Sequence, residues 1–440
     1  DIIDLTIEDL GVNGEGIGKV DGYTLFVKDG VIGDEVTVKV MKANKNFGFA
    51  RLMEINKPSK DRVTPRCSVA RQCGGCQIQC LSYEEQLKFK QNKVYNNLVR
   101  IGGQDDFVMK DIIGMEEPFN YRNKAQFPVG IDKEGNIVSG FYAGRTHSII
   151  GIDSCDLGLK LDGRDINKEV MDIVKKFMTK YQIEPYNEVT HKGLVRHVLI
   201  RIGAKTKQIM VCTIINGRKL PNKDELVEKL CKLEGMHSVS LNVNTNKSNV
   251  ILGSKIINLY GPGYIEDYIG DVKFRISPLS FFQVNPVQTE KLYNKALEYA
   301  DLSGNEIVWD LYCGIGSISL FLAKKAKKVL GVEIVPEAIE DARLNAKINK
   351  IDNSEFFVGA AEDVVTEYFS KHENEAECKP DVIVVDPPRK GCDEKLLSTI
   401  VKMNPKRVVY VSCDSATLAR DVKWLSKNGY KLKEATPCDM

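Results

Sequence analysis

Ile307-Val308-Trp309-Asp310-Leu311-Tyr312-Cys313-Gly314-Ile315-Gly316 is the stretch that decides the fold. An apolar run ends in an acid and a glycine-rich turn, and Ser317-Ile318-Ser319-Leu320-Phe321-Leu322-Ala323 then reads as a helix. Strand, tight turn and helix in that order open a doubly wound, nucleotide-type fold. Gly314 and Gly316 permit the sharp turn and let a ligand approach the main chain. A second buried run, Lys328-Val329-Leu330-Gly331-Val332-Glu333, also ends in an acid. A carboxylate there accepts hydrogen bonds from a ribose with two free hydroxyls. The turn lacks the third glycine of the G-x-G-x-x-G pyrophosphate cradle, so S-adenosylmethionine, with ribose but no pyrophosphate, fits better than NAD.

The chain from residue 271 to 440 repeats this alternation. A helix is expected over 287–300, and strands over 307–311, 328–333, 355–358, 382–386 and 407–411, with helices between. That pattern means a parallel sheet covered on both faces, with ligands at the carboxyl ends of its strands. Two more strand ends carry unusual chemistry, Asp386-Pro387-Pro388-Arg389 and Ser412-Cys413-Asp414. The paired prolines stiffen their loop. It resembles the loop with which adenine-amine methyltransferases hold a base, although Arg389 stands where those enzymes usually have an aromatic. An exocyclic amine needs no help from a thiol, whereas carbon 5 of a pyrimidine becomes nucleophilic only after a thiolate adds to carbon 6. Cys413 is expected at the end of a central strand, opening the helix that starts Ser415-Ala416-Thr417-Leu418. A helix N-terminus brings a thiol pKa down from about 8.5, which makes Cys413 the candidate nucleophile.

Residues 1–57 alternate in short strands separated by glycine turns, which predicts a small β-barrel of the oligonucleotide-binding kind. Gly14-Glu15-Gly16-Ile17-Gly18 opens no helix and reads as a β-turn or bulge. Between Lys39 and Arg66 lie eight Lys/Arg and two acids, with Phe47 and Phe49 among them. Such a surface can hold phosphates and stack bases. Lys57-Pro58-Ser59-Lys60 marks a linker into residues 58–270, an α+β domain with helices near 82–104, 163–181 and 223–234. Its first loop carries Cys67, Cys73-Gly74-Gly75-Cys76 and Cys80. Three thiols around a Gly-Gly turn suit zinc or an iron–sulfur cluster, with Cys155 or Cys80 as the fourth ligand. Tyr121-Arg122-Asn123-Lys124 and the segment from His191 to His197 are further candidates for phosphate contact, the isolated histidines reading as structural.

The 440 residues, 43% apolar and 28% charged, suit two or three globular domains. Nothing approaches the roughly 18 apolar residues of a membrane span, and no signal peptide is visible. Twelve cysteines without a secretory signal point to a reducing cytoplasm. The missing initiator Met suggests trimmed ends.

Taken together these pieces resemble the RNA uracil-5-methyltransferases, specifically the iron–sulfur class acting on 23S ribosomal RNA. The matching residues are the TRAM-like barrel, Cys67-x5-Cys73-x2-Cys76 with Cys155, Phe281-Phe282-Gln283-Val284-Asn285, the Asp310–Gly316 turn, Asp386-Pro387-Pro388-Arg389 and Ser412-Cys413-Asp414. The resemblance implies S-adenosylmethionine contacts at Gln283, Tyr312, Glu333 and Asp386, beside Gly314 of the turn, and Cys413 as nucleophile. It implies a [4Fe–4S] cluster on Cys67, Cys73, Cys76 and Cys155, with Cys80 a bystander. Transfer-RNA members typically lack both barrel and cluster, so ribosomal RNA is the expected partner of a cytoplasmic monomer with no membrane role. The family's proton acceptor, a Glu in a His-Val-Glu-like strand, falls beyond the position of Met440, which would leave a strand at 431–436 without its neighbour. The competing readings are a tRNA uracil-5-methyltransferase, an amine-directed methyltransferase, and a non-catalytic iron–sulfur protein that binds RNA and senses redox state.

Overall fold

The computed structural model describes residues 1–144, 146–372 and 379–440. The first 57 residues form a six-stranded sheet in the order Ile2–Thr6, Glu35–Ala43, Phe47–Lys57, Tyr23–Lys28, Gly16–Val20, Asp9–Leu10. Its first and last members are separated in sequence only by Ile7 and Glu8, so the two edges meet and the sheet curls into a barrel. Alternate residues Leu25, Val27, Val36, Val38, Ala50 and Leu52 fill its interior. Gly16-Ile17-Gly18 belongs to a strand rather than to the expected turn. The reason is the closure itself: a Cβ on Gly18 would lie 2.5 Å from the Leu5 side chain and 2.8 Å from the Thr6 carbonyl.

The central sheet has seven strands, in the order Ile149–Gly151, Ile137–Tyr142, Lys124–Ile131, Val195–Ile202, Ile209–Ile215, Met236–Val243, Lys255–Tyr260. One face packs on helices Ile166–Lys180 and Lys223–Cys231 through Val170, Val174, Phe177, Leu226 and Leu230. The other face sends Leu199, Met210, Cys212 and Ile214 into the core of the C-terminal domain. A hairpin, Ile265–Ile269 with Val272–Ile276, spans the expected boundary at 270/271 and packs into that same core.

The C-terminal sheet is parallel, in the order Ser354–Val358, Lys328–Glu333, Ile307–Leu311, Val382–Val385, Arg407–Tyr410. Strand order reverses beside Ile307–Leu311, which is where doubly wound sheets bind ligands. Ile307, Trp309 and Leu311 face one helical layer while Val308 faces the other. Helix Tyr83–Arg100, assigned by sequence to the central domain, lies on the last helix, Ser415–Lys427, with Asn97 Nδ2 donating to Ser415 Oγ at 2.8 Å. The strand expected over 431–436 is a two-residue bridge, Glu434–Ala435, paired in parallel with Val108–Met109 outside the main sheet. Among the described residues no helix is long and apolar enough to cross a membrane.

One buried carboxylate ties the barrel to the loop that follows it. Asp34 accepts from Val31 N and Ser59 N, each at 2.8 Å, and from Arg62 at 2.6 Å. Burial pushes its pKa up, but the Arg62 hydrogen bond and the two amides outweigh this and hold it below the usual range. Its contribution to stability is therefore complete above its unfolded pKa and is lost as pH falls through the lower folded value. Arg62→Ala strands that charge and is expected to cost about 3–5 kcal/mol at neutral pH. Urea unfolding of both proteins at pH 7 and pH 3 should show the larger gap at pH 7.

Candidate active site

The turn after Ile307–Leu311 is shaped by backbone bonds. Tyr312 N and Cys313 N both donate to Val332 O at 3.0 Å, and Tyr312, Gly314 and Gly316 adopt φ of 78°, 54° and 81°. Left-handed angles favour glycine, and Tyr312 accepts the strain. Gly314 N donates to Glu333 Oε2 at 3.2 Å, which joins the first two strand ends. Nothing lies within 4 Å of where a Gly314 Cβ would be, so the turn faces open space.

Three carboxylates surround this turn. Asp310 is fully buried; Ser319 Oγ donates to its Oδ2 at 2.5 Å, while Oδ1 has no partner among the described residues. Burial raises its pKa to about 7, with nearby Glu333 adding to the rise against the Ser319 hydrogen bonds. Asp386 is likewise raised to about 7, by burial and then by Asp310. Desolvated acids that repel one another are stabilised by a cation. S-adenosylmethionine carries a sulfonium and an ammonium, so this set of acids suits it electrostatically, with Asp310 Oδ1 left without a partner among the described residues beneath the turn. Asp310 was not among the candidates read from sequence, although its place at the end of a buried strand marks it.

Gln283 joins them from outside the sheet. Its side chain reaches the hydroxyl of buried Tyr293, which also contacts Ser317 Oγ at 3.1 Å and feels the charges of Asp386 and Asp310. Its carbonyl accepts from Asn123 Nδ2 at 3.0 Å, and Asn123 N donates to Val284 O at 2.9 Å, so the central domain holds the Gln283 segment. Tyr312 goes the other way, packing on the opposite face of the sheet near Cys392 and Asp421.

Cys413 is exposed just past Arg407–Tyr410. Two expectations about it need correction. Its strand is the edge of the five-stranded sheet rather than a central member, because the order runs outward through Val382–Val385 to Arg407–Tyr410. The helix is capped by Asp414, whose Oδ1 accepts from Ala416 N at 2.9 Å and Thr417 N at 3.1 Å, so Cys413 lies one residue before the cap and those donors are occupied. The same helix braces the Asp386 loop. Thr417 Oγ1 donates to Arg389 O at 3.0 Å, Arg420 to Lys390 O at 2.9 Å, and Asp421 Oδ2 accepts from Cys392 N at 2.8 Å. Cys413 and Asp386 thus stand on loops locked to each other.

The cysteine loop is partly assembled. Cys76 senses Cys73 and Cys67, and Cys155 senses Cys76 and Cys67, so these four are neighbours in space. Burial pushes the Cys76 and Cys155 thiols up. Gly75 N donates to Cys73 Sγ at 3.4 Å, and the amides of Leu157 and Gly158 donate toward Cys155. Cys80 faces Arg62 and Asp29 instead. Among the described residues no group of three His, Cys, Asp or Glu side chains is arranged to hold a metal ion. On the barrel, Phe26, Phe47 and Phe49 form a mutual cluster with centroids 5.7–5.8 Å apart, and Lys42 stands opposite Phe49.

A parallel sheet of order 3-2-1-4-5 with acids at its carboxyl ends suits an S-adenosylmethionine-dependent methyltransferase, and relatedness to known proteins fixes that class. The chain belongs to the tRNA (uracil-5-)-methyltransferase family, whose pattern matches residues 83–437, and a TRAM domain matches residues 1–53. It is 50% identical over 438 residues to an RNA methyltransferase of Clostridium tetani (strain Massachusetts / E88), covering 99% of this chain and 92% of that one. It is 50% identical over 441 residues to one of Bacillus cereus (strain ATCC 10987 / NRS 248), covering 100% and 94%. Among solved structures it resembles the Pyrococcus abyssi tRNA (uracil-54, C5)-methyltransferase in complex with S-adenosyl-L-homocysteine, with TM-score 0.76, 29% identity and coverage of 96% and 93%. The protein is an S-adenosylmethionine-dependent RNA uracil-5-methyltransferase.

The acid cluster gives the binding of the methyl donor a pH dependence. Asp386, at about 7, is largely protonated at pH 6 and ionised at pH 8, so affinity for the cationic donor should rise by up to about tenfold across that range. Titration calorimetry of wild type and Asp386→Asn at both pH values checks this; the variant should bind more weakly at pH 8 and lose most of the rise.

Proposed function

We propose that this enzyme methylates carbon 5 of a uridine in 23S ribosomal RNA through a covalent bond between Cys413 and carbon 6 of the uracil. The observation that carries the covalent route is the exposed Cys413 on a loop braced to the Asp386 loop. The thiolate adds to carbon 6, and the displaced π electrons form an enolate, which makes carbon 5 nucleophilic. S-adenosylmethionine supplies the methyl group; Gly314, Glu333, Asp310, Asp386 and Gln283 would hold it, with Tyr312 shaping the turn. A base then takes the carbon 5 proton, and the returning electron pair expels the Cys413 thiolate. The rigid Asp-Pro-Pro loop orients the base opposite the thiol, and the Phe26–Phe47–Phe49 face of the barrel adds a stacking surface for other nucleotides.

We propose that Cys67, Cys73, Cys76 and Cys155, which are not gathered around one centre in this structure, would hold a [4Fe–4S] cluster. The mutual influence of their thiols and the N–H donors aimed at sulfur support it. The methyl transfer moves no electron, so the cluster's role is structural or RNA-positioning. The ribosomal target, a monomeric state and a cytoplasmic location rest on the sequence resemblance. A tRNA target is the second reading, favoured by the likeness to a tRNA methyltransferase. That likeness leaves fewer residues of this chain unmatched than the barrel contains, so the barrel does not separate the two substrates.

Unmodified 23S ribosomal RNA and tRNA transcripts offered with labelled S-adenosylmethionine decide the target; label on tRNA alone would refute the ribosomal one. Cys413→Ser should lower turnover by on the order of 10⁴-fold with donor binding retained. A 5-fluorouridine transcript should trap wild type covalently, since fluorine does not leave as a proton, and turnover by the variant at the wild-type rate would exclude the thiol route. For the cluster, anaerobically purified protein should hold about four iron and four sulfide per chain. Cys155→Ala should remove them and Cys80→Ala should not; zinc in place of iron would contradict the assignment.

A further inference from the structure

Lys124 and Arg201 stand directly opposite each other on adjacent antiparallel strands of the central sheet. That register puts two cations side by side on one face, where like charges destabilise a sheet. The charged groups facing Lys124 are Arg201 and Arg122, and the other titratable group near Arg201 is Cys212. Among the described residues no carboxylate pairs with any of the three. Arg201 is only 3% exposed; one terminal nitrogen donates to Ser280 O, and its Nε has no partner among the described residues. Arg122 is exposed and its Nε donates to Lys124 O at 3.0 Å, which holds its stem over the same strand. Burial and the two neighbouring guanidiniums bring Lys124 down to about 8, and burial brings Arg201 to about 10.

The location gives this cost a use. Ala125, Phe127 and Val129 point into the central core, so Lys124 points to the opposite face, the one that meets the catalytic domain. Its neighbour Asn123 holds Gln283, and Ser280, which Arg201 grips, lies three residues before Gln283. Three neighbouring cations that no carboxylate pairs with among the described residues, Arg122 also lying by the Cys76 thiol and Arg201 buried with an unused donor, make a site for an oxyanion at the edge of the active cleft. We propose that Arg122, Lys124 and Arg201 bind a backbone phosphate of the substrate RNA and so position the chain beside the Gln283 loop. This rests on the RNA substrate of the family. The other source of the same chemistry is the carboxylate of the methyl donor.

The test uses the full chain, with unmodified 23S ribosomal RNA and tRNA transcripts in filter binding from 50 to 200 mM salt. Lys124→Gln and Arg122→Gln should each weaken binding of whichever transcript wild type holds, about tenfold at low salt. Each should lower the slope of log affinity against log salt by about 0.7–0.9, the value of one phosphate contact. S-adenosylmethionine affinity should not change. The thermal midpoint of Lys124→Gln should hold or rise, since a repulsion is removed, whereas a lysine with a structural role would lower it. Lys124→Arg should restore binding. An unchanged salt slope in both variants would overturn the site. So would a loss of donor affinity with RNA binding intact, which assigns the anion to the donor's carboxylate. Failure of wild type itself to bind either transcript would refute the RNA reading, a different result from failure of the variants alone.

Discussion

Burial of the Asp310 and Asp386 carboxyls, with Asp310 further repelled by Glu333 and Asp386 by Asp310, is the constraint on which the site depends. Each acid ends or follows a parallel strand, and the strand order brings the three ends together. Removing two such carboxyls from water opposes their ionisation, so the surrounding structure must hold them in place until a cation arrives. Ser319 holds Asp310, Gly314 N and Val335 N hold Glu333, and the prolines after Asp386 stiffen its loop. The left-handed turn at Tyr312 and Gly314 opens the space these acids face.

Around that turn the domains are interlocked rather than strung together. The central sheet presents its second face to the catalytic core, the hairpin Ile265–Ile276 seals the contact, and helix Tyr83–Arg100 lies on the helix that follows Cys413. Asn123 and Arg201 grip the segment that carries Gln283. Asp34 and Arg62 link the barrel to the chain leading into the cysteine loop. The central sheet is thus joined to the catalytic domain through packed contacts instead of a flexible linker.

The regular part of the fold was legible in the sequence. The predicted strands 307–311 and 328–333 coincide with those observed, because buried parallel strands are short continuous apolar runs bounded by turns. Gly16–Gly18 misled because glycines there serve close approach between strands distant in sequence, which local turn propensity does not register. Residues 431–436 misled because alternation does not reveal a strand's partner; Val108–Met109 lies over 300 residues away.

What the sequence by itself determined was local: the strand–turn–helix unit, the acids at strand ends, the stiff Asp-Pro-Pro loop and Cys413 beside a helix start. Those features are set by neighbouring residues through backbone conformation and periodicity. Only the tertiary structure decided that Cys413 follows an edge strand, that Asp414 rather than Cys413 caps its helix, that Tyr312 turns away while Asp310 turns in, and that Lys124 faces Arg201. Each of these depends on strand order, register or the side of a sheet, and those are fixed by packing between segments far apart in the chain.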